Sequence, residues 1–123
     1  MTTSNNPSTV PRIQIAPLTR RGLALTYGAS VAVDPTLGNL FTVTATNGTA
    51  FTASDSYPGA AGQGITITVR NTSGGALGVI TWDTKYKLAA WTSPATGFSR
   101  SITFEFDGTN WIETGRTAAD VPN

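Results

Sequence analysis

Residues 40–53 read LFTVTATNGTAFTA, and this stretch decides the fold class. Phe41, Val43 and Ala45 alternate with Thr42, Thr44 and Thr46, the period-two signature of a strand with one buried face. Asn47-Gly48 is a hairpin signal. A two-residue turn would put Phe51 on the threonine face. A longer loop over residues 47–49 places Ala45 opposite Phe51 and Val43 opposite Ala53, so burial of a single face selects it.

The same grammar extends outward. Ile65, Ile67 and Val69 alternate with Thr66, Thr68 and Arg70. Residues 102–113, ITFEFDGTNWIE, carry a second hairpin signal at Asp107-Gly108. It predicts Phe104 opposite Trp111 and Glu113 opposite Ile102. Shorter strand candidates cover residues 22–27, 31–33, 76–82 and 86–88. Between them lie turn-forming stretches such as SDSYPGAAGQG at 54–64 and NTSGG at 71–75. About eight short strands and no helix predict an all-β chain, an antiparallel β-sandwich or jelly-roll-like barrel.

Residues 1–21 read differently. Pro7, Pro11 and Pro17 stand among small polar residues. Proline removes backbone donors and biases the chain to extended forms, which predicts an extended arm ahead of a single β domain over 22–123 with a short polar tail. Such an arm is ordered when something holds it, most economically a neighbouring subunit. Its contact candidates are Pro11, Arg12, Ile13, Ile15, Pro17, Arg20 and Arg21. Ile13 and Ile15 alternate in RIQIA, which suits strand addition to a neighbour's sheet. The arginines suit carboxylates on a partner.

Composition narrows the chemistry. The chain has 123 residues, of which 39% are hydrophobic and only 12% charged, with net charge +1. That balance gives no electrostatic footprint for nucleic acid. No apolar run is long enough for a membrane span, and the N-terminus lacks the apolar core of a secretory signal. Cysteine and histidine are both absent, which excludes disulfides, thiolate zinc sites and Ser-His or Cys-His catalysis. The seven carboxylates form no facing pair and no calcium cage, and Asp55, Asp83 and Asp107 sit in turn contexts. No cofactor, metal or catalytic residue is expected. Of the aromatic residues, Trp82, Trp111 and Tyr86 read as core or interface packing. Tyr57 and Trp91 fall outside clean alternation and are the candidates for exposed contacts, including sugar stacking.

The strings DPTLGNLFTVTATNGTAF, GITITVRNTSGGALGVITW and YKLAAWTSPATGFSRSITFEFDGTNWIETGRTAADVPN resemble β-rich modules of tailed-phage virion proteins. The hairpin FEFDGTNWIE and the turn NTSGGALG carry most of the resemblance. Such modules occur at the ends of tail spikes and fibres and as small free-standing head proteins. The resemblance implies a virion structural protein and brings no catalytic residue. Small size and a grasping arm resemble a capsid decoration, or cement, protein. The implied partners are the major capsid protein and further copies of the chain, as a trimer, with no nucleic acid and no membrane. The implied location is the capsid surface of a particle assembled in the bacterial cytoplasm. The alternative is a receptor- or carbohydrate-binding module of a tail spike, tail fibre or head fibre.

Overall fold

The structure, a computed structural model, describes residues 21–55 and 58–123. Among them are ten strands and no helix: β1 Gly22–Leu25, β2 Ser30–Val33, β3 Leu40–Ala45, β4 Phe51–Asp55, β5 Gly64–Asn71, β6 Ile80–Trp82, β7 Tyr86–Lys87, β8 Phe98–Phe106, β9 Trp111–Arg116 and β10 Val121–Pro122. The all-β expectation holds.

The sandwich or jelly-roll expectation does not, because the first six strands pair in parallel rather than as hairpins. β1, β3 and β5 lie side by side in one sheet, and β2, β4 and β6 in another. Each odd strand turns a corner into the even strand that follows, so the chain winds as a short β-solenoid. Its core is the space between the two sheets. Val33 from β2 packs with Phe41, Ile65 and Ile67, while Val31, Phe51, Ala53 and Ile80 pack with Val43 and Val69. Val31, Val33, Phe41, Val43 and Ile65 are almost fully removed from water. Each such side chain contributes about 1.5–3 kcal/mol of hydrophobic stabilisation.

The expected hairpin at Asn47-Gly48 is therefore a corner between sheets. Thr49 N donates to Asn47 Oδ1 (2.9 Å), and the single proton of the Tyr27 hydroxyl is within reach of both Asn47 O (2.9 Å) and Thr49 O (2.8 Å). The next corner stacks directly on it, with Gly78 N donating to Gly48 O (2.9 Å). A Cβ at Gly78 would lie 2.5 Å from Ala50 N, so only glycine allows the coils to close up there. Inward alternation is the same whether a strand doubles back or turns a corner. The turn residues alone do not distinguish the two.

After β6 the winding stops. β8 pairs antiparallel with β5, β9 antiparallel with β8, and β7 lies beyond β9. The Asp107-Gly108 hairpin is real, but its register differs from expectation. Phe106, not Phe104, stands opposite Trp111, and Glu113 stands opposite Phe104 rather than Ile102, with an irregularity between Thr103 and Phe104. The cause is Asp107, whose Oδ1 accepts from Thr109 N (2.8 Å) and Asn110 N (2.7 Å) and so holds a longer turn. The slip is by an even number of residues, so Phe104, Phe106 and Trp111 all stay inward. On the opposite face of the larger sheet, hydroxyls pair across strands: Thr66 with Thr103 (3.1 Å) and Thr68 with Ser101 (2.7 Å).

Asn71, at the end of β5, is fully buried and ties the closing loops together. Its Nδ2 donates to Gly75 O (2.9 Å) and Pro94 O (3.0 Å), and its Oδ1 accepts from Ser73 N (2.9 Å) and Ser73 Oγ (2.6 Å). Its carbonyl accepts from Gly97 N (2.8 Å) and Asn123 Nδ2 (3.1 Å).

Candidate functional site

Carboxylates, the first place to look for chemistry, are engaged in structure. Glu113 holds the Arg116 guanidinium through both oxygens and accepts from Ala89 N (2.9 Å). Arg116 also donates to Ala90 O (2.7 Å) and Ala89 O (3.1 Å), pinning the loop after β7. The guanidinium, and then the Ala89 amide, hold Glu113 below the usual carboxylate range. Asp120 is held down by Arg100 and by the Ala95 amide, and Asp107 by the turn amides of Asn110 and Thr109. No group of three or more acidic, His or Cys side chains is placed to hold a metal ion among the described residues.

Asp55 differs. It ends β4, and burial pushes its carboxyl up, opposed by the neighbouring Trp111 indole. Asp55 Oδ1, Trp111 Nε1, Tyr86 OH and Trp82 Nε1 are all buried without a hydrogen-bond partner. Trp111 thus leans on the carboxylate too loosely for a true hydrogen bond. Burial, then the nearby Asp55 charge, raises the Tyr86 hydroxyl far above its usual value and keeps it neutral. The group lies inside the packed end of the solenoid, with Trp82 and Tyr86 ring centroids 5.6 Å apart.

Trp91 is half-buried rather than freely exposed. Its ring meets Trp82 edge-on at 5.5 Å, its Nε1 donates to Ser93 Oγ (3.2 Å), and Arg116 sits 5.7 Å from its centroid. A shallow cavity of about 480 Å³ runs beside it, lined in part by Leu77, Trp82, Leu88 and Ser93. With one ring edge in the core and a guanidinium over the ring, little remains of a flat platform for a sugar. Tyr57 lies outside the described residues, as do Pro11, Arg12, Ile13, Ile15, Pro17 and Arg20. Residues 59–64, part of the turn-forming stretch 54–64, pack against this chain's own β8–β9 hairpin. A Cβ at Gly59 would lie 2.5 Å from the Trp111 ring, and Gly62 N donates to Phe106 O (2.8 Å).

Arg21, assigned to the arm, is already part of the body. Its N donates to Asn39 Oδ1 (2.8 Å), and its carbonyl accepts from Asn39 N (3.2 Å) and Leu40 N (3.1 Å). Among the described residues, β1 is the outer strand of one sheet and β2 of the other. Leu23 and Leu25 are only half-buried, whereas their neighbours Phe41 and Val43 on β3 are covered. A groove of about 470 Å³ lies across this end, lined by Leu23, Leu25, Tyr27, Ala32 and Leu37 among others. Leu37 is 52% exposed. The opposite end of the large sheet carries the antiparallel cap and the fully buried Trp111. Apolar lining and strand edges that have one neighbour among the described residues can bind a polypeptide by strand addition.

Comparison with protein-family models, with curated proteins and with solved structures finds no match to this chain.

Proposed function

We propose that this chain is a structural protein of a tailed-phage particle, a decoration protein that binds the major capsid protein and neighbouring copies. The observation that carries this reading is the asymmetry of the solenoid. Beyond β5 the larger sheet is continued by the antiparallel strands β8 and β9, whereas among the described residues the N-terminal end presents the edges of β1 and β2 and an apolar groove where the N-terminal segment joins. Solenoids whose ends are uncapped stack on further polypeptide. The engaged carboxylates and the absence of histidine and cysteine fit a mechanical role rather than turnover. Many modest contacts across capsomer joints add up when each is preorganised.

The test is binding to purified heads of the phage that encodes the chain. The full chain is expected to saturate them, and a chain lacking residues 1–20 to leave them bare. Unchanged occupancy after that deletion refutes the role assigned to the N-terminal end. The second reading, a receptor- or carbohydrate-binding module, has the cavity beside Trp91 in its favour. Glycan binding that is lost in Trp91→Ala, together with no binding to heads, would replace the first reading with the second.

A further inference from the structure

The open end carries a pattern that names its own cover. β2 is SVAV, followed by a connector of six residues, DPTLGN, and then by β3, which begins LFTV. Eighteen residues earlier the chain reads RIQI, then APLTRR, then GLAL, which is β1. Connector length, the proline at the second connector position (Pro17 and Pro35) and the alternating apolar positions of the flanking segments (Ile13 with Val31, Ile15 with Val33, Leu23 with Phe41, Leu25 with Val43) coincide. The same offset of 18 is the register by which β1 lies on β3, with Leu23 beside Phe41 and Leu25 beside Val43.

The end of the first connector already keeps this register. Arg21 and Asn39, also 18 apart, are joined by the hydrogen bonds described above. A Cβ at Gly38 would lie 2.9 Å from Arg21 O, so the two connectors are stacked in close contact.

We propose that residues 12–15 of the same chain form a further solenoid strand, parallel to β2, with Ile13 beside Val31 and Ile15 beside Val33. Ile13 and Ile15 then point inward, as Val31 and Val33 do, and cover Leu23 and Leu25 as those valines cover the layer above. Gln14 points outward beside exposed Ala32. The connector length favours the same chain over a second copy, since residues 16–21 match in number the connector that makes the equivalent crossing from β2 to β3. The β2 half of the open end is then filled. The edge of β1 and residues 1–11 are left for a partner, with a reach of about 40 Å if extended.

This inference stands apart from the virion reading, because its test uses the full chain alone in solution. An equal mixture of two differently isotope-labelled preparations is examined by NMR for methyl contacts between Ile15 and Val33 and for amide exchange. The expected result is Ile15–Val33 contacts within one chain, at any dilution, with amides at 13–15 exchanging at least about tenfold more slowly than those at 2–9. Contacts found only between differently labelled chains would assign the strand to a second copy and overturn the proposal. So would the absence of contacts with fast exchange throughout residues 1–20. As a second readout, Ile15→Asp is expected to speed amide exchange in β2, and Ser4→Asp to leave it unchanged; equal effects from both would also count against the register.

Discussion

The two ends of this molecule are built from strands with the same inward and outward rhythm, yet one is finished and the other is not. At the capped end, β8 and β9 run antiparallel over a turn fixed by Asp107, and Trp111 is buried beneath Gly59. At the open end, β1 and β2 each have a neighbour on one side only among the described residues, and Leu23 and Leu25 stay half-buried. Parallel winding always leaves such an edge, because the next coil is what would satisfy it. Here the C-terminal strands β8 and β9 supply that next layer for β5 by reversing direction. On the function proposed above, the capped end carries stability and the N-terminal end carries interaction.

The contrast breaks most visibly at the capped end. Trp111→Ala is expected to cost about 3–5 kcal/mol, read from urea unfolding, because a fully buried indole leaves a cavity that the tight Gly59 loop cannot fill. A loss under 1 kcal/mol would mean that the cap is not where the fold is held. Next in size is Asn71→Ala. It takes the side-chain partner from the Pro94 carbonyl and the Ser73 amide, at an expected cost of about 3 kcal/mol in the same assay.

The open end is sharpened by two truncations. Removing residues 1–11 is expected to leave thermal stability unchanged, whereas removing 1–20 is expected to cost about 3 kcal/mol if Ile13 and Ile15 pack beside β2 as proposed above. Equal melting temperatures for both truncations would show that residues 12–15 cover nothing. The smallest effect is electrostatic. Burial raises the Asp55 carboxyl above its ordinary value of 3.8, so the folded chain holds that proton more tightly than the unfolded one. The stabilisation this gives is full below the ordinary value and is lost as pH rises through the folded one. Asp55→Asn removes that loss, so the stability of the variant relative to the parent should climb as pH rises above about 4. Glu113 and Asp120, whose carboxyls are held low, act in the opposite sense and lose their contribution as pH falls. They are common to both proteins and cancel in the difference.

Which residues turn inward was readable from the chain. Phe41, Val43, Ile65, Ile67, Phe104 and Trp111 are all buried, as alternation implied. Which strand lies beside which was not, because Asn47-Gly48 satisfies a hairpin and a corner equally. The deciding contact is Gly48 with Gly78, thirty residues apart in sequence. The register at Asp107 slipped for a local reason, a side chain accepting two amides, that the dipeptide signal does not encode. Asn71 and Gly59 gave no sign of their roles, since both sit in turn-rich stretches and act on distant partners. Trp91 was correctly set apart from the alternating strands, but Arg116 and Trp82 claim much of its surface. The repeat between residues 12–25 and 30–43 was present in the sequence throughout. It acquires meaning only once the 18-residue register of β1 on β3 is known.

Central to the proposed function is that the solenoid acts through its N-terminal end. Its most direct measurement is the occupancy of purified phage heads by the full chain and by the chain lacking residues 1–11, imaged side by side. The account predicts a decorated surface with the first and a bare one with the second, at equal thermal stability of the two proteins. Equal decoration by both would contradict it.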